Sequence, residues 1–95
     1  MIIGNKEYTG KALVARISKL RVAYGITVAQ YNAMFHDQNG VCACCGDEEY
    51  AKQLAVDHCH TTGKVRALLC HACNNNIGIY EKWGNMYSSY LEKHR

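Results

Sequence analysis

Two C-x-x-C pairs, Cys42/Cys45 and Cys70/Cys73, are separated by 24 residues and constrain this chain more than any other feature. A chain of 95 residues suffices for one domain, but at that size it buries too little surface to be secure without a staple. Four thiolates in two short knuckles are the ligand set of a tetrahedral structural zinc site. Six cysteines in a short chain could instead form disulfides, which belong to oxidising compartments. No succession of charged, apolar and small residues opens the chain, so the reading is reduced thiols, a cytoplasmic setting and one Zn²⁺ per chain. Cys44 competes with Cys45 for register, and two-residue spacing selects Cys45. His71 lies between two ligands, but a full set of four thiolates leaves it no role there.

Lys, Arg, Glu or Asp interrupts every apolar stretch well before the ~20 residues needed to span a bilayer, so no membrane partner is expected. Charge is distributed unevenly. Residues 1–24 carry Lys6, Lys11, Arg16, Lys19 and Arg21 against Glu7, a net of +4. Residues 37–57 carry five acids against Lys52, a net of −4. A basic N-terminal face suits phosphate contact and makes DNA the expected partner, the plain alternative being a solvated helix surface. The DNA-contact candidates are Lys11, Arg16, Lys19 and Arg21, joined by Lys64 and Arg66 on a later strand, where an ordinary exposed face is the competing reading.

With no proline, low-complexity tract or repeat beyond the knuckles, nothing divides the chain, and residues 1–95 are read as one domain. Within it, 1–40 form a basic helical lead-in, 41–83 a zinc-bearing core and 84–95 a short C-terminal helix. Leu13, Ile17, Leu20 and Tyr24 recur at helical spacing over residues 10–24, and Gly25 ends that helix. Thr27 and Gln30 form a T-x-x-Q capping box that opens a second helix with Val28, Tyr31, Met34 and Phe35 inward. Gln38-Asn39-Gly40 closes it. The first knuckle turns at Gly46, and an acidic loop follows. Leu54 to His60 and Lys64 to Cys70 read as two strands joined by Thr61-Thr62-Gly63. A helix over Ile77 to Trp83 is interrupted by Gly84, and a last piece from Asn85 to about Lys93 packs on the domain through Met86, Tyr90 and Leu91. The fold class is α+β.

The chemistry-bearing residues collect at the end of the first strand and just after the second knuckle. Phosphodiester hydrolysis needs an activated water, a cation to neutralise phosphate charge and stabilisation of the departing oxygen. A neutral imidazole can take a proton from water near neutral pH, which makes His58 the candidate general base. A hard ion such as Mg²⁺ or Mn²⁺ takes oxygen ligands and keeps several waters, so Asp57 and Asn74 suffice as the protein's contribution. Cys73, held in its knuckle, fixes Asn74 against the hairpin. Strand alternation would put Asp57 and His58 on opposite faces, so a twist or bulge is required there. His60 either orients the phosphate or sits at the surface. Taken singly, a His or Asp at a strand end is usually a turn or capping residue; the spacing of the set is what argues for more. Cys59 reads as a small buried apolar residue rather than a nucleophile, and Trp83 and the seven tyrosines as core rather than base-stacking platforms.

The run Gln38-x-Gly40-x-Cys42-x-x-Cys45-Gly46, then Val56-Asp57-His58-x-His60-x-Thr62-Gly63-x-Val65-Arg66-x-Leu68-Leu69-Cys70-x-x-Cys73-Asn74, resembles the recombination endonuclease VII family of phage-type HNH nucleases. Tyr24-Gly25-Ile26-Thr27 with Tyr31 is similar to that family's helical lead-in, so the match covers roughly residues 24 to 78. The resemblance implies a small zinc-stapled ββα-metal (HNH, His-Me finger) fold with N-terminal helices. It further implies a zinc on four cysteines, one catalytic divalent cation, and DNA cleavage to 5′-phosphate and 3′-hydroxyl ends. It places the metal-binding aspartate on Asp57, the general-base histidine on His58, the second active-site histidine on His60 and the metal-binding asparagine on Asn74. Ala67 stands where the family usually has glycine. The residues after the nuclease module are fewer than the long helices through which junction-resolving members form intertwined dimers. That counts against resolution of branched DNA, while nicking or cutting of duplex DNA and homing or toxin-like roles are left open. A non-catalytic four-cysteine zinc module binding DNA or protein is the reading from a different class; it explains the zinc and the charge but does not need Asp57, His58 and Asn74 together.

Overall fold

Ile2–Ile3 (β1) and Lys6–Glu7 (β2) form an antiparallel hairpin that sequence periodicity does not announce. The computed structural model describes residues 1–95. Gly4, at φ +62°, takes the first central position of the two-residue turn, where a left-handed residue suits the twist of the flanking strands. Side chains from later elements fasten this hairpin. The Gly4 amide donates to Asn32 Oδ1 at 2.7 Å, Asn32 Nδ2 donates to the Ile2 carbonyl at 3.2 Å, and Gln53 Nε2 donates to the Ile3 carbonyl. The result is full burial of Ile3.

Two helices follow. Helix α1, Gly10–Tyr24, ends on Gly25, whose φ of 68° lets its amide reach the carbonyls of Arg21 and Leu20. Helix α2, Val28–Asp37, opens with both halves of the capping box: Gln30 N donates to Thr27 Oγ1 at 3.1 Å and Thr27 N donates to Gln30 Oε1 at 2.8 Å. Asn39 and Gly40, both at positive φ, then turn the chain toward the first knuckle. Gln38 joins that turn to the sheet. Its amide donates to the carbonyls of Val41 and Leu68 and accepts from the Leu68 amide at 3.0 Å. The Ala43 amide also donates to Leu68.

Strands β3 (Ala55–His58) and β4 (Val65–Leu69) pair antiparallel and lead straight into helix α3, His71–Lys93. Both strands are shorter than the sequence stretches that suggested them, because Cys59, Gly63 and Lys64 bond to one another across the connecting turn. Helix α3 corrects the sequence reading. It begins six residues earlier than expected, on Cys70 as N-cap, and runs unbroken through Gly84 for 23 residues. Glycine in a helix interior costs about 1 kcal/mol relative to alanine, which weakens a helix without ending it. Only a left-handed glycine caps one, and Gly84 is not left-handed. The Tyr80 ring lies over it, where an added Cβ would come within 3.2 Å.

The core is small. Ile3, Leu20, Ile26, Tyr31, Cys42, Leu54, Val56, Leu68 and Leu69 pack together, and with Asp57 they are the ten buried residues of 95. Tyr31 is the one tyrosine in this core. Trp83, Tyr50, Tyr80, Tyr87 and Tyr90 are exposed, which overturns the reading of these aromatics as core. Met86 and Leu91 are exposed as well, so the end of α3 projects instead of packing on the domain. The geometry accounts for this: 23 helical residues span about 35 Å at 1.5 Å per residue, longer than the 26 and 22 Å transverse extents of the molecule. The buried Tyr31 hydroxyl donates to the Leu54 carbonyl at 2.8 Å. Tyr31→Phe should lower stability by about 1–3 kcal/mol, since it strands that carbonyl while keeping the ring. Urea unfolding measures it; an unchanged midpoint would mean the bond contributes nothing.

Candidate metal centre and adjoining histidines

The two knuckles meet. Residues 41–46 carry Cys42 and Cys45, while the β4–α3 junction carries Cys70 and Cys73, and the four sulfur atoms lie within 4.8 Å of one another. Cys45 Sγ and Cys70 Sγ are 3.9 Å apart. Zn–S bonds of about 2.3 Å in a tetrahedron place sulfurs about 3.8 Å apart, so the cluster has the dimensions of a four-thiolate site and not of a disulfide. Backbone amides turn toward the sulfurs: Cys44 N donates to Cys42 Sγ and Cys73 N to Cys70 Sγ, both at 3.4 Å. Cys44 itself is exposed and outside the cluster.

Crowded thiols oppose one another's ionisation. Burial works against the Cys42 thiolate, but backbone amides, that of Cys45 foremost, bring its pKa down to about 6. The Cys70 and Cys45 sulfurs push the Cys73 thiol far above its ordinary range. A dication among the four removes that conflict. His71 has other work. Its amide donates to Glu49 Oε1 at 3.0 Å, and its Nε2 lies 3.1 Å from the Gln53 carbonyl. Glu49, from the loop that carried no motif, therefore caps α3, and the His71 amide holds its carboxyl below the usual range.

The hairpin register slips between Asp57 and His58. Asp57 faces Ala67 and His58 faces Val65, so Arg66 is the residue left without a partner. The irregularity falls at the expected step, but the extra residue is on β4, so β3 carries no extra residue between Asp57 and His58 to turn them to one face. Asp57 is buried and half-buried His58 follows it. Their surroundings diverge. The His58 ring lies 5.9 Å from that of Tyr24 on α1 and 5.0 Å, edge-on, from that of His60. Asp57 is held by Arg66, whose Nε and Nη2 donate to its two oxygens at 2.7 and 2.9 Å.

Arg66 also reaches α3. Its Nη2 and Nη1 donate to Glu81 at 3.0 and 3.3 Å, so one guanidinium spans two carboxylates. The pairing with Asp57, then Glu81, holds Arg66 charged, and Arg66 keeps the Glu81 carboxyl below its usual range. Arg66, a DNA-contact candidate in the sequence, is thus an exposed residue already paired with two carboxylates. Asn74, half-buried, precedes Gly78 and Glu81 by four and seven residues and so shares their face of α3. His60, Thr61, Gly78, Glu81 and Lys82 line a cavity of about 410 Å³ between the hairpin turn and that face. Glu81 was absent from the sequence reading. The helical spacing from Asn74 was its available signal, obscured by a helix placed as starting at Ile77.

The remaining candidates separate. Lys11, Lys19 and Arg21 are exposed on α1 and Lys64 in the hairpin turn, whereas Arg16 is half-buried. Cys59 is half-buried and not a core residue; hydrogen bonds from the Thr62 side chain and the turn amides lower its thiol pKa to about 7.

A family model described as recombination endonuclease VII matches residues 17–93. The chain is 43% identical over 61 residues to the Gene 59 protein of Mycobacterium phage D29, covering 63% of this chain and 37% of that protein. It is 37% identical over 67 residues to the Gene 59 protein of Mycobacterium phage L5, covering 70% of this chain and 41% of that protein. The chain thus spans about two fifths of the length of these curated relatives. No solved structure matches it.

Proposed function

The chain belongs to the recombination endonuclease VII family, and from that premise we propose that it is a DNA endonuclease of the HNH, ββα-metal type. The observation that carries the reading is the order hairpin, knuckle, helix: Asp57 and His58 end β3, His60 follows in the turn, and Asn74 follows the last cysteine of the cluster within α3. Zn²⁺ on Cys42, Cys45, Cys70 and Cys73 is the structural ion, and residues 41–83 form the nuclease core of a single domain.

Asp57 and Asn74 would hold the catalytic Mg²⁺ or Mn²⁺. A carboxylate has about four lone-pair directions and Arg66 uses two, so Asp57 retains capacity for a cation. An aspartate oxygen and an amide carbonyl are hard ligands suited to an ion that keeps several waters. When bound, the ion neutralises charge on the scissile phosphate and the departing 3′ oxygen. His58 takes the proton of the attacking water. His60, beside it, orients the phosphate, and cleavage leaves 5′-phosphate and 3′-hydroxyl ends.

The competing non-catalytic zinc module draws on one observation, the engagement of both Asp57 oxygens by Arg66. Supercoiled plasmid distinguishes the two. The protein should nick or linearise it with Mg²⁺ or Mn²⁺ and not without; absence of metal-dependent cleavage on plasmid and on branched DNA sinks the enzyme reading. The relatives are phage proteins, which supports action on DNA inside the bacterial host. No helix is long and apolar enough to cross a membrane.

A further inference from the structure

A cavity of about 550 Å³ lies between α1, the β1–β2 hairpin and the segment leading into β3. Its cations are Lys6, Arg16, Lys19 and Lys52. None of the four forms a salt bridge. Lys6 and Arg16 instead face aromatic rings, Lys6 over Tyr8 at 5.1 Å and Arg16 over Tyr31 at 5.2 Å. Arg16 Nε is buried with no hydrogen-bond partner, the one such side-chain atom in the protein. The acid in the lining, Glu49, is committed to the amides of His71 and Ala51. Four cations against the single carboxylate of Glu49, with one guanidinium nitrogen of Arg16 left without a partner, favour an anion in this cavity.

The rest of the lining narrows the anion. Tyr8, Tyr24 and Tyr50 supply aromatic surface in the same cavity, and Tyr50 is 86% exposed. Phosphate-binding cations beside aromatic rings are the pattern by which proteins hold a single nucleic-acid strand, phosphate on the cations and base on the ring. Tyr24 also connects the cavity to the hairpin, since its ring lies 5.9 Å from that of His58, and Ala55 and Val56 of β3 form part of the wall.

We infer that this cavity binds one nucleotide of a single DNA strand, its phosphate at Arg16, Lys19 and Lys52 and its base against Tyr50, next to the strand position acted on at His58. The inference deepens the nuclease reading and rests on it for the identity of the polymer. It also divides the basic candidates: at 100° per residue Arg16 and Lys19 lie 60° apart on α1, while Lys11 and Arg21 lie about 110° and 170° round the helix from the middle of that face and outside the cavity.

The test is binding of a short fluorescein-labelled single-stranded oligodeoxynucleotide by the full chain with its structural metal and no other divalent cation, titrated over a range of NaCl concentrations. Lys19→Gln and Lys52→Gln should each make the salt slope shallower by about 0.7, the value of one single-strand phosphate contact. Tyr50→Ala should weaken binding about tenfold with the salt slope unchanged, as loss of one stacked base does. Arg16→Met deletes an unpartnered donor and keeps the stem against Tyr31 while losing the cation–ring contact, so it should still fold, as circular dichroism checks, yet bind more weakly. Lys11→Gln and Arg21→Gln should match wild type. Unlabelled duplex of the same sequence should compete less well than the single strand. Wild-type slopes in the Lys19 and Lys52 variants, or losses confined to the Lys11 and Arg21 variants, would overturn the cavity. So would failure of the wild type to bind. Wild type that binds as described but never nicks plasmid sinks the nuclease reading alone, whereas nicking with silent cavity variants sinks this inference alone.

Discussion

Removing the metal from the four-cysteine cluster, or replacing Cys70 by serine, should unfold this chain cooperatively instead of loosening one end. The reason is how little else holds it. Ten of 95 residues are buried, and one of them, Cys42, belongs to the cluster. A chain of 95 residues has a net stability of about 5–15 kcal/mol. Structural zinc contributes about 10–16 kcal/mol of apparent binding free energy in small zinc domains. The cluster also fixes the architecture, tying residues 41–46, which follow α2, to the junction of β4 and α3. Circular dichroism during chelation should show loss of the thermal transition, restored by Zn²⁺ and not by Mg²⁺. Elemental analysis should find one zinc per chain. Cys44→Ser and Cys59→Ser are the controls, since neither sulfur belongs to the cluster, and both should retain metal and fold. A folded, metal-free chain with reduced cysteines would show that the cluster is not the staple.

The parts of this architecture that were legible in the sequence are those set by neighbours in the chain. Gly25 ends α1 and Thr27 with Gln30 opens α2 through contacts no more than six residues long, and both occur where the residues require. The cysteine pairs were legible because metal-ligand spacing survives any intervening fold. A twist or bulge was expected on the strand of Asp57 and His58, whereas the extra residue, Arg66, lies on the partner strand, where its pairing with Asp57 and Glu81 holds it. The illegible features depend on distant partners. The β1–β2 hairpin has two-residue strands and no usable periodicity; Asn32 and Gln53 hold it from far along the chain. Arg66 reads as one more basic residue on a strand until Glu81, fifteen positions on, is brought beside it. Gly84 misled because its composition signal was read without the backbone conformation that gives such a signal force.

His58→Ala should lower metal-dependent DNA cleavage by about 10²- to 10⁴-fold, the range for loss of a positioned general base, while leaving zinc content and the unfolding midpoint close to wild type. His58 gives a cleaner test than Asp57. The Asp57 carboxylate is buried and takes two hydrogen bonds from Arg66, so Asp57→Asn disturbs a structural pair together with any metal ligand, and lost activity would have two explanations. His58 is half-buried at the strand end, and the rings close to it are those of Tyr24 and His60, so truncation removes little packing. His60→Ala, measured beside it, should cost less, because an exposed imidazole that orients the phosphate acts on binding more than on proton transfer. The discriminating measurement is single-turnover cleavage at saturating protein, which isolates the chemical step from binding. There the His58 defect should persist and the His60 defect should shrink. Equal single-turnover rates for His58→Ala and wild type would remove His58 as the base and shift attention to the cavity lined by His60 and Glu81, which brings an imidazole and a carboxylate to one place.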